Sequence, residues 1–422
     1  MIARLAVACV VATAVTLTTF SATAQDTVTD RQGIQALLDR RAEAIRERNK
    51  EQFLDTVDPT SSGFFDEQER LFDSLGTVPL GSYELHARWD RFGDLVRPSD
   101  RARYGGAEDV AIPVTEEVYR IEGFDKAPAL EDMYFTFVKR DGEWLIAEDS
   151  DLNDLAFYSA RHLWDYGPLY RVDGEHFVVF GHECAAGTEA NLCPGEARSF
   201  LSLAERALER VDRYWTMPWP RRVAVLVPAT PDELKRILQI TFDPSDFVAF
   251  AYSTVDADEG VRYTGHRIIF NWRSLRERSD ADVVTILAHE LVHVASRELA
   301  GPFVPVFLDE GIAEYIGHDA DPEALAFLDA EISAGIFDAR LPEDFEFVTG
   351  DGTSIFRSYQ EGQSMVRYFA ERHGLNDVIR FYRALGTPLA PGTARYHMDR
   401  ALRRIADTDF KGFEREWADS IS

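Results

Sequence analysis

Two histidines four residues apart, with a glutamate directly after the first, form the stretch of this sequence best suited to chemistry: His289, Glu290 and His293. In a helix, residues i and i+4 lie on the same face, so both imidazoles can reach a single ion. Zinc readily accepts imidazole nitrogen. Glu290 lies on a neighbouring face, where its carboxylate can take a proton from a water activated by the metal.

The surroundings of these residues favour a metal site over chance. The helix is apolar almost all round, at Val283, Val284, Ile286, Leu287, Leu291, Val292 and Val294. Polar side chains in such a helix are costly unless they find partners. A core histidine with an ordinary hydrogen bond would explain one of the three polar residues, but not all of them.

A third protein ligand is needed for a zinc site that keeps an open position. Glu310 and Glu314 follow in the stretch FLDEGIAEYIG and are again i and i+4. We expect Glu310 to be the third ligand, and Glu314 to accept the ring N–H of a ligating histidine. The alternative is a solvated acidic helix, which does not explain the apolar residues around these acids.

The combination of HELVH with FLDEGIAEY resembles the gluzincin metallopeptidases, in particular their peptidase MA-like domains. The resemblance implies one Zn²⁺ on His289, His293 and Glu310, Glu290 as general base and acid, and a peptide or protein substrate. The spacing between His293 and Glu310 is slightly shorter than in the related aminopeptidases. Their Gly-x-Met-Glu-Asn motif is absent, so nothing supports trimming of N-termini.

The same resemblance implies two further sets of site residues. Tyr359, with Gly362 in a Tyr-x-x-Gly helix start, would donate a hydrogen bond to the developing oxyanion; the alternative is a core tyrosine. Tyr396 and His397 are reserve candidates for that role. The strand residues Ile268, Ile269 and Phe270 would form the edge that pairs with an extended substrate, unless they form an ordinary half-buried strand.

The elements that must position these residues predict an α+β fold in two domains. Residues 25–160 begin with an amphipathic helix and continue into a hairpin that turns at Asp141-Gly142. This part resembles the cone-like nuclear transport factor 2-like fold, which hosts both enzymes and binding modules. Residues 165–422 would then form a thermolysin-like zincin domain: a small sheet, the site helix and a helical C-terminal part.

The N-terminus and the cysteines indicate export. Residues 1–24 resemble a signal peptide, with an apolar run and Ala22-x-Ala24 as the cleavage site. The alternative is a retained membrane anchor, although the run is short for a bilayer span. In an oxidising compartment Cys184 and Cys193 are expected to form a disulfide. A metal site that includes His182 and Glu183 is the alternative.

The net charge of −28 disfavours nucleic acid and anionic membrane surfaces as partners. It fits solubility, adaptation to salt or a preference for basic substrates. Together these features predict an exported, periplasmic or extracellular zinc metallopeptidase with no stable membrane span after processing. The alternatives are an exported binding protein with a vestigial site, and a zinc hydrolase of an ester or epoxide.

Overall fold

The computed structural model describes residues 24–184, 191–256, 262–337, 340–387 and 391–421. The α+β class expected from the sequence is confirmed: helices alternate with three small sheets. Apart from Ala24, the expected signal peptide at 1–24 lies outside the described residues. None of the described helices combines the length and the apolar character needed to cross a bilayer.

The described elements before residue 160 are α1 (Ala24–Glu47), α2 (Lys50–Leu54), α3 (Ser62–Leu75), β1 (Leu80–Ala87), α4 (Pro98–Arg103), β2 (Asp109–Ala111), β3 (Thr115–Ile121), β4 (Ala129–Met133), β5 (Thr136–Arg140) and β6 (Glu143–Glu148). Two antiparallel sheets result, with the strand orders β1-β3-β4 and β2-β5-β6. The apolar stripe of α1 is buried between them at Ile34, Leu37, Leu38, Ala42 and Ile45. That stripe is the one predicted by its helical spacing.

The hairpin that turns at Asp141-Gly142 is present, but it is shorter than the sequence suggests. Both turn residues have positive φ, 51° and 83°, as a tight two-residue connection requires. β5 and β6 pair across this turn. The alternation of Met133, Phe135 and Phe137 in the sequence predicts that the first strand of the hairpin begins at Met133. Met133 belongs instead to β4, which pairs with β3 in the other sheet. The alternation of apolar residues therefore continues from β4 into β5, although the two strands belong to different sheets. Spacing of apolar residues does not reveal where one strand ends and the next begins.

The described elements after residue 165 are β7 (Leu169–Asp173), β8 (Phe177–His182), α5 (Pro194–Tyr214), β9 (Val223–Val227), α6 (Pro231–Ile237), β10 (Ala249–Asp256), β11 (Arg262–Phe270), α7 (Trp272–Leu275), α8 (Asp280–Ser296), α9 (Val306–Gly317), α10 (Ala326–Ser333), α11 (Gly352–His373), α12 (Leu375–Gly386), α13 (Ala394–Ile405) and α14 (Phe410–Ile421). Their strands form one mixed sheet in the order β10-β11-β9-β8-β7.

The position of β11 in this sheet corrects one expectation. Ile268, Ile269 and Phe270 do not form an edge, because β11 pairs antiparallel with β10 on one side and parallel with β9 on the other. All three side chains are at most 1 % exposed. The two edge strands of this sheet are β10, next to β11, and β7 on the far side. The order of strands depends on contacts far apart in the chain, so local sequence could not decide it.

The five-stranded sheet is covered on both faces. One face contributes Phe177, Val179, Val225 and Phe270 to a core shared with α5, α8 and the C-terminal helices. Alternate residues of the same strands, such as Val178, Phe180, Leu226 and Ile269, lie in a core shared with α1 and the N-terminal sheets. The two parts of the chain, on either side of residues 157–170, thus have separate sheets and a common hydrophobic core.

Candidate metal centre

The helix α8 holds both histidines in a fixed place. Ser279 caps its N-terminus: the Oγ of Ser279 accepts from the backbone N–H of Asp282, and the Asp282 carboxylate accepts from that of Ser279. Because α8 is buried around most of its circumference, it cannot rotate without exposing apolar surface. The imidazoles of His289 and His293 therefore have little freedom in where they point.

The helix α9 brings the two glutamates to the same place. It starts after Pro305, and the backbone N–H of Val306 donates to the Asp344 side chain at 2.8 Å. α9 packs against α8 and, on its other side, against α11. Glu310 is 4 % exposed, which leaves its carboxylate facing α8 rather than solvent.

The side chains of His289, His293 and Glu310 converge on one point. The two Nε2 atoms are 3.2 Å apart, and Glu310 Oε2 lies 3.1 Å from that of His289 and 3.2 Å from that of His293. Atoms that bind zinc at about 2.0–2.1 Å with tetrahedral angles lie roughly 3.3 Å from one another. This triangle of two nitrogens and one oxygen is thus compatible with a small divalent ion.

Glu314 lies where the sequence suggests it should. Its Oε1 is 2.9 Å from Nδ1 of His289, and its other oxygen is 3.2 Å from Nδ1 of His318. A carboxylate on Nδ1 fixes the tautomer that leaves Nε2 free for a metal. Because Glu314 lies one turn after Glu310, the two carboxylates contact opposite nitrogens of the His289 ring: Glu310 faces Nε2 and Glu314 faces Nδ1.

The electrostatics of this cluster are strongly coupled. Burial lowers the pKa of His289, but hydrogen bonds to Glu310 and Glu314 outweigh it and raise that pKa well above its usual range. Burial raises the pKa of Glu314, whereas bonds to His289 and His318 bring it down to about 2. The carboxylates of Glu310 and Glu314 therefore stay ionised, and a nearby positive charge stabilises them. Either protonated histidines or a bound metal ion can provide that charge.

Asp309 is a member of the site that the sequence did not reveal. Its Oδ2 lies 3.8 Å from Nδ1 of His293, and its Oδ1 accepts a hydrogen bond of 2.7 Å from the Tyr382 hydroxyl. Asp309 is 7 % exposed, and the Nδ1 of His293 is buried without a closer partner. The ring N–H of His293 needs an acceptor, so a search for a second acid beside Glu310 would have found it.

Glu290 faces a cleft beside the cluster and is free to handle a proton. The cleft has a volume of about 80 Å³ and is lined by the metal-binding candidates, Glu290, Tyr359 and β10. Glu290 is 7 % exposed, and its carboxylate makes no hydrogen bond or ion pair with the part of the chain described. It is the one acid of the cleft that no histidine neutralises.

Tyr359, on α11, also lines the cleft. Its ring centre is 6.2 Å from that of His289 and 5.3 Å from that of Phe347, which packs edge-on against it. Burial raises the pKa of Tyr359 well above its usual range, and the charges of Glu310, Glu314 and Glu290 raise it further. The phenol is thus protonated and available as a hydrogen-bond donor.

The wall formed by β10 supplies both backbone and apolar side chains. Ala249, Phe250, Ala251 and Tyr252 line the cleft, and β10 pairs only with β11 among the described strands of its sheet. The Arg297 guanidinium donates to the backbone oxygen of Ala251 at 3.4 Å. The strand that can meet an extended ligand is therefore β10, in place of the residues expected on β11.

The reserve candidates and the cysteines lie elsewhere. Tyr396 is 49 % exposed and His397 stacks on Phe303, and neither lines the cleft. A disulfide joins Cys184 to Cys193, as expected from the two cysteines. His182, the histidine of the alternative metal site, pairs instead with Glu233 at 3.1 Å. Within the described ranges, the group formed by His289, His293 and Glu310 is the only one of its kind that could hold a metal.

No protein-family model and no curated protein matches this chain. Its function must accordingly be inferred from the geometry of the cluster and the cleft.

Proposed function

We propose that this protein is a zinc-dependent peptidase. The observation that carries the proposal is the triangle of His289 Nε2, His293 Nε2 and Glu310 Oε2, with sides of 3.1–3.2 Å, beside an unpaired Glu290. Two imidazoles and one carboxylate are a donor set that zinc takes in catalytic sites with an open position. Calcium and magnesium prefer ligand sets made of oxygen alone.

His289, His293 and Glu310 would hold the ion. When bound, zinc lowers the pKa of a water molecule and polarises a carbonyl group. Glu290 takes a proton from the attacking water, since its carboxylate lines the cleft beside the ligands and makes no hydrogen bond or ion pair with the described residues. It then delivers that proton to the amine that leaves as the peptide bond breaks.

The remaining residues of the cleft orient the substrate and stabilise charge. The Tyr359 hydroxyl donates a hydrogen bond to the oxygen that becomes negative as the carbonyl is attacked. The edge of β10 that does not pair with β11 pairs with the extended backbone of the substrate, and the apolar side chains of Phe247 and Phe250 exclude water. Glu314 and Asp309 keep the two imidazoles in their metal-binding orientation.

The domain assignment belongs to the same proposal. We assign residues 165–422 to the zincin fold of the gluzincins, because a mixed sheet, a site helix and a helical C-terminal part occur in that order. We assign residues 25–160 to the nuclear transport factor 2-like fold. Residues 1–24 would direct the chain out of the cytoplasm and be removed.

The test combines metal analysis with cleavage. Glu290→Gln keeps the shape of the side chain but removes the base, so we expect about one zinc per chain and a loss of roughly 10²–10⁴ in the rate of cleavage of a denatured protein. His293→Ala is expected to lose both metal and activity. Products are identified by mass spectrometry of a peptide-library digest.

Three outcomes would contradict the proposal. Unchanged cleavage by Glu290→Gln would remove Glu290 as the base. Parent protein that purifies without metal and does not take up zinc would favour a binding protein with a vestigial site. A zinc-loaded chain that leaves the peptide library intact but hydrolyses esters or epoxides would be a hydrolase of another class.

A further inference from the structure

A second cavity lies where residues 124–127 of the N-terminal part meet the segment that follows α8. Its volume is about 460 Å³, within the range of about 300–1,000 Å³ typical of small-molecule sites. It is lined by residues 124–127, by the residues before β9, by the start of β11 and by residues 297–300. The metal-binding candidates do not line this cavity, so it is separate from the cleft.

Arg297, at the base of this cavity, is a buried cation that lacks a carboxylate. It is 5 % exposed and its Nε has no hydrogen-bond partner among the described residues. Its guanidinium donates to the backbone oxygen of Ala251 at 3.4 Å. No described carboxylate lies within ion-pair distance of it, and its charge acts on Asp309 only from further away, where it adds to the effect of His293 in lowering the pKa of that carboxyl. The guanidinium lies 5.3 Å from the ring centre of Tyr263, which holds it in place. A buried charge in this condition is costly unless an anion joins it.

Arg222 offers a second free cation at the rim. Its guanidinium lies 4.7 Å from the ring centre of Phe124, and no described carboxylate pairs with it. The acids nearby are already engaged: Glu298 pairs with Lys126 at 2.8 Å, and Asp125 pairs with Arg267. The cavity thus carries excess positive charge in a chain whose net charge is −28.

A neutral histidine completes the lining. The Nδ1 of His266 is 2.8 Å from the Ser253 hydroxyl, so its Nε2 is the nitrogen left for a ligand. Burial, assisted by the charges of Arg297 and Arg267, lowers the pKa of His266 to about 3. His266 therefore adds a hydrogen-bonding group without adding charge.

We propose that this cavity binds a small molecule with an oxyanion group, carboxylate or phosphate, through Arg222 and Arg297. Planar guanidinium groups held by aromatic rings suit both oxyanions, because each can accept paired hydrogen bonds. The ligand would lie between residues 124–127 and the segment that starts at Arg297, directly after α8. The site does not depend on the peptidase proposal, since none of its residues belongs to the cleft.

Isothermal titration calorimetry of the purified full chain tests the proposal, with inorganic phosphate and succinate as separate probes in a chloride buffer of low ionic strength. We expect saturable binding of at least one probe, and the tighter one identifies the kind of oxyanion. Arg222→Gln should weaken binding about tenfold or more, because a charge-assisted hydrogen bond is lost. Arg297→Gln, checked by circular dichroism for folding, should abolish it.

The control is Arg404→Gln, which makes the same change of charge in the arginine-lined groove between α12 and α13. We expect it to bind within about twofold of the parent. No saturable heat with either probe up to about 10 mM would overturn the proposal. So would equal weakening by Arg222→Gln and Arg404→Gln, weakening by Arg404→Gln alone, or unchanged binding by a folded Arg297→Gln.

Discussion

At the scale of the residue, the two histidines of the candidate metal centre are oriented by carboxylates that are not themselves in the ligand triangle. The Glu314 carboxylate lies 2.9 Å from Nδ1 of His289. The Asp309 carboxylate lies 3.8 Å from Nδ1 of His293. Each carboxylate increases the basicity of the ring it contacts and restrains its rotation. The ligand triangle is therefore preorganised by residues that lie one turn beyond, or directly before, Glu310.

Glu314→Gln tests whether Glu314 orients the His289 ring for metal binding. The variant keeps the shape of the side chain and removes its charge, so we expect zinc affinity to fall about 10- to 100-fold. Competition with a fluorescent chelator measures the affinity. Glu323→Gln, an exposed glutamate on the segment after α9, is the control and should bind zinc as the parent does. Equal affinities of Glu314→Gln and parent would show that Glu314 does not orient His289.

At the scale of the element, two glycines let α9 and α11 touch. A Cβ at Gly311 would lie 2.3 Å from the backbone oxygen of Gly362, and a Cβ at Gly362 would lie 2.7 Å from that of Phe307. α9 carries Glu310 and α11 carries Tyr359, so this close crossing sets the distance between the proposed metal ligand and the proposed oxyanion donor. The need for close approach explains both glycines on physical grounds.

We expect Gly362→Ala to force the two helices apart and to lower the free energy of unfolding by about 1–3 kcal/mol. The same shift should reduce zinc affinity, because Glu310 moves with α9. Urea denaturation and chelator competition measure the two effects. Gly352→Ala at the start of α11 is a matched control, since its Cβ would meet nothing within 4 Å. A Gly362→Ala protein as stable as the parent would show that α9 and α11 do not cross as closely as the contact between Gly362 and Phe307 requires.

At the scale of the whole molecule, the two parts of the chain are joined by charge as well as by apolar contacts. Arg267 on β11 pairs with Asp125 from the N-terminal part, and their side chains are 2 % and 1 % exposed. The backbone N–H of Leu130 donates to the Thr254 hydroxyl at 3.1 Å, and Tyr252 donates to Glu131. Cutting the chain near residue 165 would expose one face of the five-stranded sheet.

Asp125→Ala leaves the Arg267 guanidinium buried and unpaired, so we expect a loss of about 3–5 kcal/mol in the free energy of unfolding. Because the core is shared, unfolding should remain a single transition at lower urea concentration. Asp154→Ala removes an aspartate that is 65 % exposed and pairs with Arg97, and should cost about 0–1 kcal/mol. Two separate transitions, of which only one shifts, would show that the two parts unfold independently.

The sequence by itself determined the features that depend on short spacing along the chain. His289 with His293, and Glu310 with Glu314, share helix faces because the helical repeat is fixed by the backbone. The stripe of α1 and the turn at Asp141-Gly142 follow from equally local rules. Such features need no knowledge of what the rest of the chain does.

Only the tertiary structure decided what depends on distant segments. It placed β10, rather than Ile268, Ile269 and Phe270, at one edge of the five-stranded sheet. It also packed the N-terminal part on the sheet and left Arg297 buried beside an open cavity. Strand order, burial and the pairing of charges are set by contacts between residues far apart in sequence, and no local pattern encodes them.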